Sequence, residues 1–493
     1  MQLTIGKEVD YYLIESAAFV QEAVNLLKKA LESTEKILAV DTETYPLYNL
    51  YGSKADFRDP HTSTIRLVQV NVPYSETPFI FDILKIGKDK CQPLINLLMR
   101  EDIRKVGHNF NYDLKQFKAA FNVWLPNSWC TLVCAKRVNV CTGFRAGQMR
   151  GNSLKALARD YFGIDLSKTE QKSDWSNPTL TVEQLEYAAM DVTKSKLQEN
   201  LKHSVLLDLY YLLTDVLYTP APKGFGGYCK LKDYKEPIEV DQAANAILAE
   251  IEYTGMPVSV KMLNLIYSTA EAEVEKLKLY LCESFGLPLQ QRIEYTEQGK
   301  QLKIILSPEV EKTLNSPPQL VQLVNKVLRS QGIVIDNVKA ESMEAVLKKL
   351  KIADSEEESE EFEDEKDYYE DEEEHDADWG IDLISKLVKY KELAKLISID
   401  YRDLINPVTG RVHSSYQCIG ASTGRMSSGG KGSFNAQNIS TRSLFIEYYL
   451  NFNPYTNSFK VEEDKLVTEK VTLRNAFVVD KPGMIFVSAD FAA

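Results

Sequence analysis

Acidic and phenolic side chains recur in the first two hundred residues at spacings that could assemble a metal site. Asp41 and Glu43 flank one residue at the end of the apolar run KILAVDTET, so strand geometry points both carboxylates to one side. Tyr187 and Asp191 are four residues apart in a helical pattern, which puts the phenol and the carboxylate on one face. Neighbouring carboxylates repel unless a cation lies between them, and hard oxygen ligands suit Mg²⁺ or Mn²⁺.

A further motif, GHNFNYDLKQF, lies between these two pairs. Its residues Asn109 and Asp113 occur where a strand-like run is followed by a helical one. We expect Asn109 to have a positional role, as a capping residue of this turn. We expect the neighbouring His108 to be structural. The apolar residues predicted to lie in the core around the motifs are Leu67, Phe110 and Phe117.

The elements that must position these residues alternate between apolar strand-like runs and amphipathic helical runs. This alternation predicts an α/β domain with a mixed central sheet. A helical pattern covers about Val182 to Leu213, and a segment rich in Pro, Gly and Lys then marks a domain boundary near residue 220. Residues 238–352 have a mainly helical pattern, and MIFVSADF near the end is strand-like. Residues 354–378 are expected to be disordered, because a block of like charge buries too little apolar surface.

The three motifs, in this order, resemble those of the exonuclease family named for its four acids and tyrosine, found in proofreading domains of DNA polymerases and in ribonuclease D-like enzymes. The resemblance covers roughly residues 35–205. It implies a ribonuclease H-like domain that hydrolyses phosphodiesters from the 3′ end. It also implies two divalent ions, Mg²⁺ or Mn²⁺, in each site.

The resemblance assigns a role to each motif residue. Asp41, Glu43 and Asp191 would hold the first ion, and Asp41 with Asp113 the second. Tyr187 would orient the attacking water, helped by Glu43.

The second half of the chain resembles the thumb and the first part of the palm of the family A, Klenow-type DNA polymerases, over about residues 236–493. Arg425, Gln437 and Asn438 occur where that family contacts the primer–template minor groove. Asp490 matches the first catalytic carboxylate and metal ligand of the polymerase site. Asn109 completes the predicted DNA-binding set. The motifs that carry the resemblance are LAEIEYTGMPVS, NSPPQLVQLV, LVKYKELAKLISIDYRDLINPVTGRVHSSYQ, ASTGRMSSGGKGSFNAQNIS and LRNAFVVDKPGMIFVSADF.

These resemblances predict four segments. They are an exonuclease domain in residues 1–215, a linker in 216–237, the start of the polymerase domain with a mainly helical thumb in 238–400, and part of an α+β palm in 401–493.

The net charge of −13 is concentrated in one run and is compatible with DNA binding. Residues 354–378 contain seventeen acidic residues and one Lys, which leaves +3 for the rest of the chain. The seven cysteines are scattered without a CxxC pair, which favours a reduced, cytoplasmic setting, including that of a virus-infected cell. The sequence contains neither a membrane-spanning run nor a targeting segment, so a protein free of membrane is expected.

Three functions remain in competition at this stage. The first is the exonuclease and N-terminal half of a DNA polymerase in replication or repair. Its fingers and the rest of its palm would lie on a second polypeptide, or would be lost to a gene interruption or a truncation. The second is a stand-alone 3′-5′ exonuclease on DNA or RNA. The third is a non-catalytic DNA-binding subunit. The complete set of exonuclease acids argues against the third, and a chain that ends inside a polymerase motif favours the first.

Overall fold

The computed structural model of the chain describes most of its length. The described residues are 3–141, 151–166, 170, 173–218, 235–296, 299–331, 334–339, 342–348, 374–421, 423–430, 433–449, 466–481 and 483–486.

The described residues form fifteen strands and fifteen α-helices, numbered here in chain order, together with several short 3-10 helices. The strands are β1 Leu3–Thr4, β2 Tyr11–Ile14, β3 Ile37–Pro46, β4 Ser63–Asn71, β5 Phe79–Asp82, β6 Arg104–Gly107, β7 Ser128–Cys130, β8 Met256–Pro257, β9 Leu289–Thr296, β10 Gly299–Leu306, β11 Arg411–Val412, β12 Tyr416–Gln417, β13 Ser427–Ser428, β14 Ser443–Tyr449 and β15 Leu466–Thr472. The helices are α1 Ala17–Ser33, α2 Tyr48–Tyr51, α3 Ile83–Ile86, α4 Gln92–Leu98, α5 Asn111–Phe121, α6 Thr131–Cys141, α7 Leu154–Phe162, α8 Val182–Met190, α9 Val205–Tyr218, α10 Lys235–Thr254, α11 Val260–Ser284, α12 Pro308–Asn315, α13 Pro317–Val327, α14 342–348 and α15 Glu374–Ile397.

The chain divides into two compact units, each of which uses two stretches of sequence. The first unit comprises Met1–Met256 and Leu404–Asn438, and the second comprises Pro257–Asp403 and Ile439–Ala493.

A mixed seven-stranded sheet forms the centre of the first unit. Its order is β1-β2-β5-β4-β3-β6-β7, in which β2/β5, β3/β6 and β6/β7 are parallel and the other pairs are antiparallel. The large core cluster gathers residues of this sheet with α1, α4, α5, α6 and α9. A smaller cluster packs α8 against the opposite face at β4 and β5. The predicted α/β class with a mixed central sheet is confirmed.

The second unit is mainly helical, with two antiparallel hairpins. Helix α11 presents an apolar stripe at helical spacing, formed by buried Leu263, Ile266, Ala270 and Val274. Tyr267 of the same helix is fully buried, and its hydroxyl donates to the Ile399 carbonyl oxygen at 2.7 Å, just after α15. Strands β9/β10 and β14/β15 form the hairpins.

Two local predictions differ from the structure. The segment with a helical pattern from about Val182 to Leu213 contains two helices, α8 and α9, because serine side chains between them bond to nearby backbone. One such serine, Ser204, accepts from the Leu207 amide at 3.1 Å and so caps the start of α9. Within the region predicted to be mainly helical, β9 and β10 pair over eight residues each. Their short apolar runs are ambiguous between the helical and strand periods.

Two further predictions fall partly outside the described residues. Of the acidic run predicted to be disordered, residues 354–373 lie outside them, and the last five residues are helical because α15 begins at Glu374. Of the predicted strand MIFVSADF, residues 484–486 are not in a strand and the remainder lies outside. Among the described residues, no helix combines the length and the apolar character needed to cross a membrane.

Candidate active site

Strand β3 carries the first two carboxylates. Its N-terminal half is apolar and fully buried, and burial then alternates, so Asp41 and Glu43 are half-buried whereas Thr42 and Thr44 are buried. The period-two geometry predicted from the sequence is therefore observed. Strand β3 pairs with β6 over Ile37–Ala39 and with β4 at Asp41 and Glu43, and this pairing fixes the direction of the two carboxylates.

Helix α5 brings the third carboxylate. Asp113 lies in the first turn of this helix and is buried. Its Oδ1 accepts a hydrogen bond from the hydroxyl of Thr42 at 2.5 Å, which links α5 directly to the strand that carries Asp41 and Glu43. The partial positive charge of a helix N-terminus also favours a carboxylate in this position.

Helix α8 brings the tyrosine and the fourth carboxylate. The helix begins with a reciprocal capping box, in which Thr181 and Gln184 each bond to the other's backbone amide. Asp191 directly follows its last residue with a helical backbone conformation, so Tyr187 and Asp191 remain one turn apart. Tyr187 packs against the cluster under α8, with its ring 6.4 Å from that of Trp175.

Three of these carboxylates converge on one point. Ligand oxygens of Asp41, Glu43 and Asp191 lie within 4.8 Å of one another. Burial, together with the charges of its neighbours, raises the pKa of Asp41, Glu43 and Asp113 well above their usual range. Burial, with the nearby Asp113, raises the pKa of Asp191 to about 7.

Such a cluster fits a divalent cation. Four carboxylates that raise one another's pKa are under mutual repulsion, which a bound cation would relieve. The donor set consists of hard oxygens, as Mg²⁺ and Mn²⁺ prefer.

The raised pKa values predict how the metal-free protein responds to pH. A carboxyl group whose folded-state pKa exceeds its unfolded value favours folding at low pH and loses that contribution as the pH rises towards the folded value. For Asp191 this window runs from about 4 to about 7. In EDTA, we therefore expect Asp191→Asn to match the wild-type Tm near pH 4 and to exceed it increasingly up to about pH 7. A difference that is constant with pH, or that shrinks, would contradict the assignment.

A buried arginine clamps the segment that leads into α8. Strand β4 has a β-bulge opposite Glu43 and Thr44, where Arg66 is the extra residue. Its guanidinium is fully buried and pairs with Asp82 at 3.0 Å. It also donates to the carbonyl oxygens of the segment before α8, those of Trp175, Asn177 and Pro178. One side chain thus joins the central sheet to the approach of the helix that carries Tyr187.

Removing this guanidinium should lower the free energy of unfolding substantially. In Arg66→Met the Asp82 carboxylate would be left buried without its partner, a loss typically of about 3–5 kcal/mol. The matched control is Arg100→Met, which breaks the exposed pair with Asp102 and should cost about 0–1 kcal/mol. Urea unfolding followed by tryptophan fluorescence measures both variants. Equal losses of unfolding free energy in the two variants would mean that the buried Arg66–Asp82 pair does not stabilise the segment before α8.

The residues around this centre lie as follows. Leu67, Phe110 and Phe117 are fully buried, which confirms their prediction as core. His108 Nδ1 lies 2.9 Å from the hydroxyl of Thr131. Asn109 is exposed and has a left-handed backbone with φ of 57°, which asparagine tolerates better than most residues.

The cap of α5 corrects one detail of the sequence prediction. The residue in the N-cap position is Phe110 rather than Asn109, and no side chain caps the helix there. Asn109 occupies the preceding turn, where its carbonyl oxygen accepts from the Tyr112 amide at 2.9 Å.

Of the residues predicted for the polymerase half, the three that the structure describes are not part of the carboxylate cluster. Arg425 is exposed in the turn between β12 and β13, where its carbonyl oxygen accepts from the Gly420 amide at 2.9 Å. Gln437 and Asn438 are exposed in a short 3-10 turn after β13. Asp490 lies outside the described residues.

Two positioning groups, Thr42 and Arg66, were missed by the sequence analysis. Thr42 is the middle residue of the motif that supplies Asp41 and Glu43, and its hydroxyl was the available signal. Arg66 in the apolar run IRLVQV was the signal for a buried cation with a distant partner.

Comparisons with known proteins find matches in both halves of the chain. A family model described as 3′-5′ exonuclease matches residues 11–203, and one described as DNA polymerase family A matches residues 289–493. DNA polymerase I of Aquifex aeolicus is 28% identical over 258 residues, which are 51% of this chain and 38% of that protein. Ribonuclease D of Xanthomonas oryzae pv. oryzae is 31% identical over 141 residues, which are 29% of this chain and 36% of that protein.

Among solved structures, that of Escherichia coli RNase D, an exoribonuclease involved in structured RNA processing, is 18% identical. It has a TM-score of 0.34 and covers 57% of this chain and 56% of its own. The matched part of this chain spans less than two fifths of the length of the DNA polymerase I and of the ribonuclease D named above. The exonuclease model confirms the predicted ribonuclease H-like class of the first unit. The chain therefore carries a 3′-5′ exonuclease domain in its first half and a segment of a family A DNA polymerase in its second.

Proposed function

We propose that this chain is a metal-dependent 3′-5′ exonuclease that removes nucleotides from DNA 3′ ends, as the proofreading part of a DNA polymerase. The single observation that carries the proposal is the convergence of Asp41, Glu43 and Asp191 within 4.8 Å. A hydrogen bond from the Thr42 hydroxyl to Asp113 joins this fourth carboxylate to the strand that carries Asp41 and Glu43. Tyr187 lies one helical turn before Asp191.

Each residue has a chemical role in this proposal. Asp41, Glu43 and Asp191 would hold one divalent ion, and Asp41 with Asp113 a second. When bound, such ions activate water and neutralise charge on the attacking and leaving oxygens. Burial, and then the charge of Asp191, raises the pKa of Tyr187, so its hydroxyl remains a donor at neutral pH and can orient the attacking water.

The second part of the proposal concerns the polymerase half. Arg425, Gln437 and Asn438 would contact the minor groove of the primer–template, and Asp490 would be a metal ligand of the polymerase site. Arg425, Gln437 and Asn438 are exposed and therefore accessible to DNA. Asn109, also exposed, would contact the single-stranded 3′ end.

Several predictions from the sequence remain part of the proposal. The segments would be an exonuclease domain in 1–215, a linker in 216–237, a thumb in 238–400 and part of the palm in 401–493. Two further points also stay predictions. One is a second polypeptide that carries the remaining polymerase elements, and the other is the cytoplasmic location of this chain.

The test is degradation of a single-stranded DNA labelled at its 5′ end. With Mg²⁺ or Mn²⁺ we expect a ladder that shortens from the 3′ end and releases 5′-mononucleotides, whereas EDTA stops the reaction. A 3′-phosphorylated DNA of the same sequence provides the end-blocked control. Cleavage that persists in EDTA, or that starts at the 5′ end, would refute the proposed function.

A second candidate, a stand-alone exonuclease on DNA or RNA, is supported by the similarity to a ribonuclease D. An RNA oligonucleotide of the same sequence separates the two candidates. Degradation of RNA as fast as DNA, without measurable affinity for primer–template, favours the stand-alone enzyme. Primer–template binding that Arg425→Ala weakens favours the polymerase role. Absence of degradation under all conditions would leave the third candidate, a non-catalytic DNA-binding subunit.

A further inference from the structure

A buried glutamine beside the carboxylate cluster has a side-chain amide with no hydrogen-bond partner among the described residues. Gln69, in the middle of β4, is fully buried. Its side-chain nitrogen and its side-chain oxygen both lack a partner among the described residues. An unsatisfied buried polar group costs about 1–3 kcal/mol. An apolar residue of similar size would avoid this cost. The presence of an amide here therefore indicates a ligand or a neighbouring residue to which the amide can form a hydrogen bond.

The strand register identifies that neighbour. Strands β3 and β4 are antiparallel, and Gln69 is directly opposite Asp41. Directly opposite residues point to the same face of a sheet, with Cβ atoms about 4.5–5.5 Å apart. The amide of a glutamine extends far enough from its Cβ to reach a carboxylate across that distance.

The surroundings of Gln69 offer few other polar groups. Its neighbours on the same face of β4 are Leu67 and Asn71, and the residue opposite it on β5 is Ile80. Leu67 and Ile80 are buried in the apolar cluster under α8. The Asn71 amide is already paired, because its nitrogen donates to the carbonyl oxygens of Ser75 at 2.9 Å and Val192 at 3.3 Å. The Asp41 carboxylate is therefore the polar group that the register sets beside the amide.

We propose that Gln69 is a positioning residue for Asp41: its side-chain NH₂, which has no partner among the residues that the structure describes, would donate to the Asp41 carboxylate in the metal-bound protein and hold that carboxylate in the orientation that binds metal. The inference rests on the proposed function, in which Asp41 is the ligand shared by both ions. A carboxylate that serves two ions must present its oxygens in a fixed plane. Hydrogen bonds to ligating carboxylates provide this, and their loss typically weakens metal binding or activity about 10–100-fold.

Gln69→Leu separates this role from a structural one. It removes the donor and also removes two unsatisfied buried atoms. We therefore expect Mn²⁺ binding, measured by isothermal titration calorimetry without nucleic acid, to weaken about 10–100-fold. In EDTA, the Tm should be no lower than that of the wild type. A residue that served only the fold would show the reverse pattern.

A second buried glutamine of the same unit provides the matched control. Gln242 is equally an amide in the core, but it is fully paired, with its Oε1 accepting from the Cys130 amide at 2.7 Å and its Nε2 donating to the Cys130 carbonyl oxygen at 3.0 Å. Gln242→Leu should lower the Tm in EDTA and leave the Mn²⁺ affinity unchanged.

Two further variants complete the test. Gln69→Met, an unbranched variant without a donor, repeats the measurement in case the leucine packs poorly. Mn²⁺ affinity within about twofold of wild type in both variants, or failure of both to fold, would overturn the positioning role. Asp41→Ala is measured in parallel: if it leaves Mn²⁺ binding intact, the metal site of the proposed function is wrong, whatever Gln69 does.

Discussion

Asp41→Ala should reduce metal-dependent release of 5′-mononucleotides by about 10³-fold or more, because metal ions contribute several kcal/mol to phosphodiester hydrolysis and each 1.4 kcal/mol is tenfold in rate. Asp41 is the side chain whose loss should matter most, since it faces both Asp191 and Asp113. Asp191→Ala should have a comparable effect.

The protein should remain folded in these variants. The carboxylates raise one another's pKa, so removal of one relieves repulsion in the metal-free site, and the Tm in EDTA should not fall. Asp89→Ala, which removes an exposed acid of the same unit, is the control for the change in charge. Rates within about tenfold of wild type for Asp41→Ala would exclude the assignment of this centre as the exonuclease site.

Tyr187→Phe should lower the rate of hydrolysis by about 10²–10⁴-fold while Mn²⁺ affinity stays within about twofold of wild type. The variant keeps the ring that packs beside Trp175 and loses only the hydroxyl that remains protonated at neutral pH. Single-turnover degradation at saturating metal isolates this step from metal binding.

A second tyrosine of the same apolar cluster controls for the loss of a hydroxyl. Tyr45 is also half-buried against the residues under α8. Tyr45→Phe should leave the single-turnover rate close to that of wild type. If both variants lose activity equally, the effect reflects the packing of the cluster, and Tyr187 has no special role in orienting water.

The sequence predicted those parts of the site that depend on local spacing. Two residues apart on a strand, or four apart on a helix, fix a shared face with no knowledge of the rest of the fold, and this is why the arrangement of Asp41 with Glu43 and of Tyr187 with Asp191 could be predicted. The resemblance to known exonucleases supplied what spacing alone does not, namely that Asp113 belongs with them.

Contacts that depend on distant pairing could not be predicted. The bond from Thr42 to Asp113 spans 71 positions, and the one from Arg66 to Pro178 spans 112. The register that puts Gln69 opposite Asp41 depends on how β3 and β4 align, which neither strand encodes alone. Short edge strands such as β1 and β7 were missed because two or three residues carry too little periodicity.

The bulge in β4 also determines how the strand would tolerate a change of length. Ile65 faces the large core and Leu67 faces α8, and they pair with the consecutive residues Thr44 and Glu43. Removing any other residue from the middle of β4 would turn part of the strand inside out. Removing Arg66 would instead leave an unbroken ladder with every remaining side chain on its present face. The strand pairing that supports the carboxylates therefore does not depend on Arg66, the residue that anchors the segment before α8. Evolution could change that anchoring residue without shifting the register between β3 and β4.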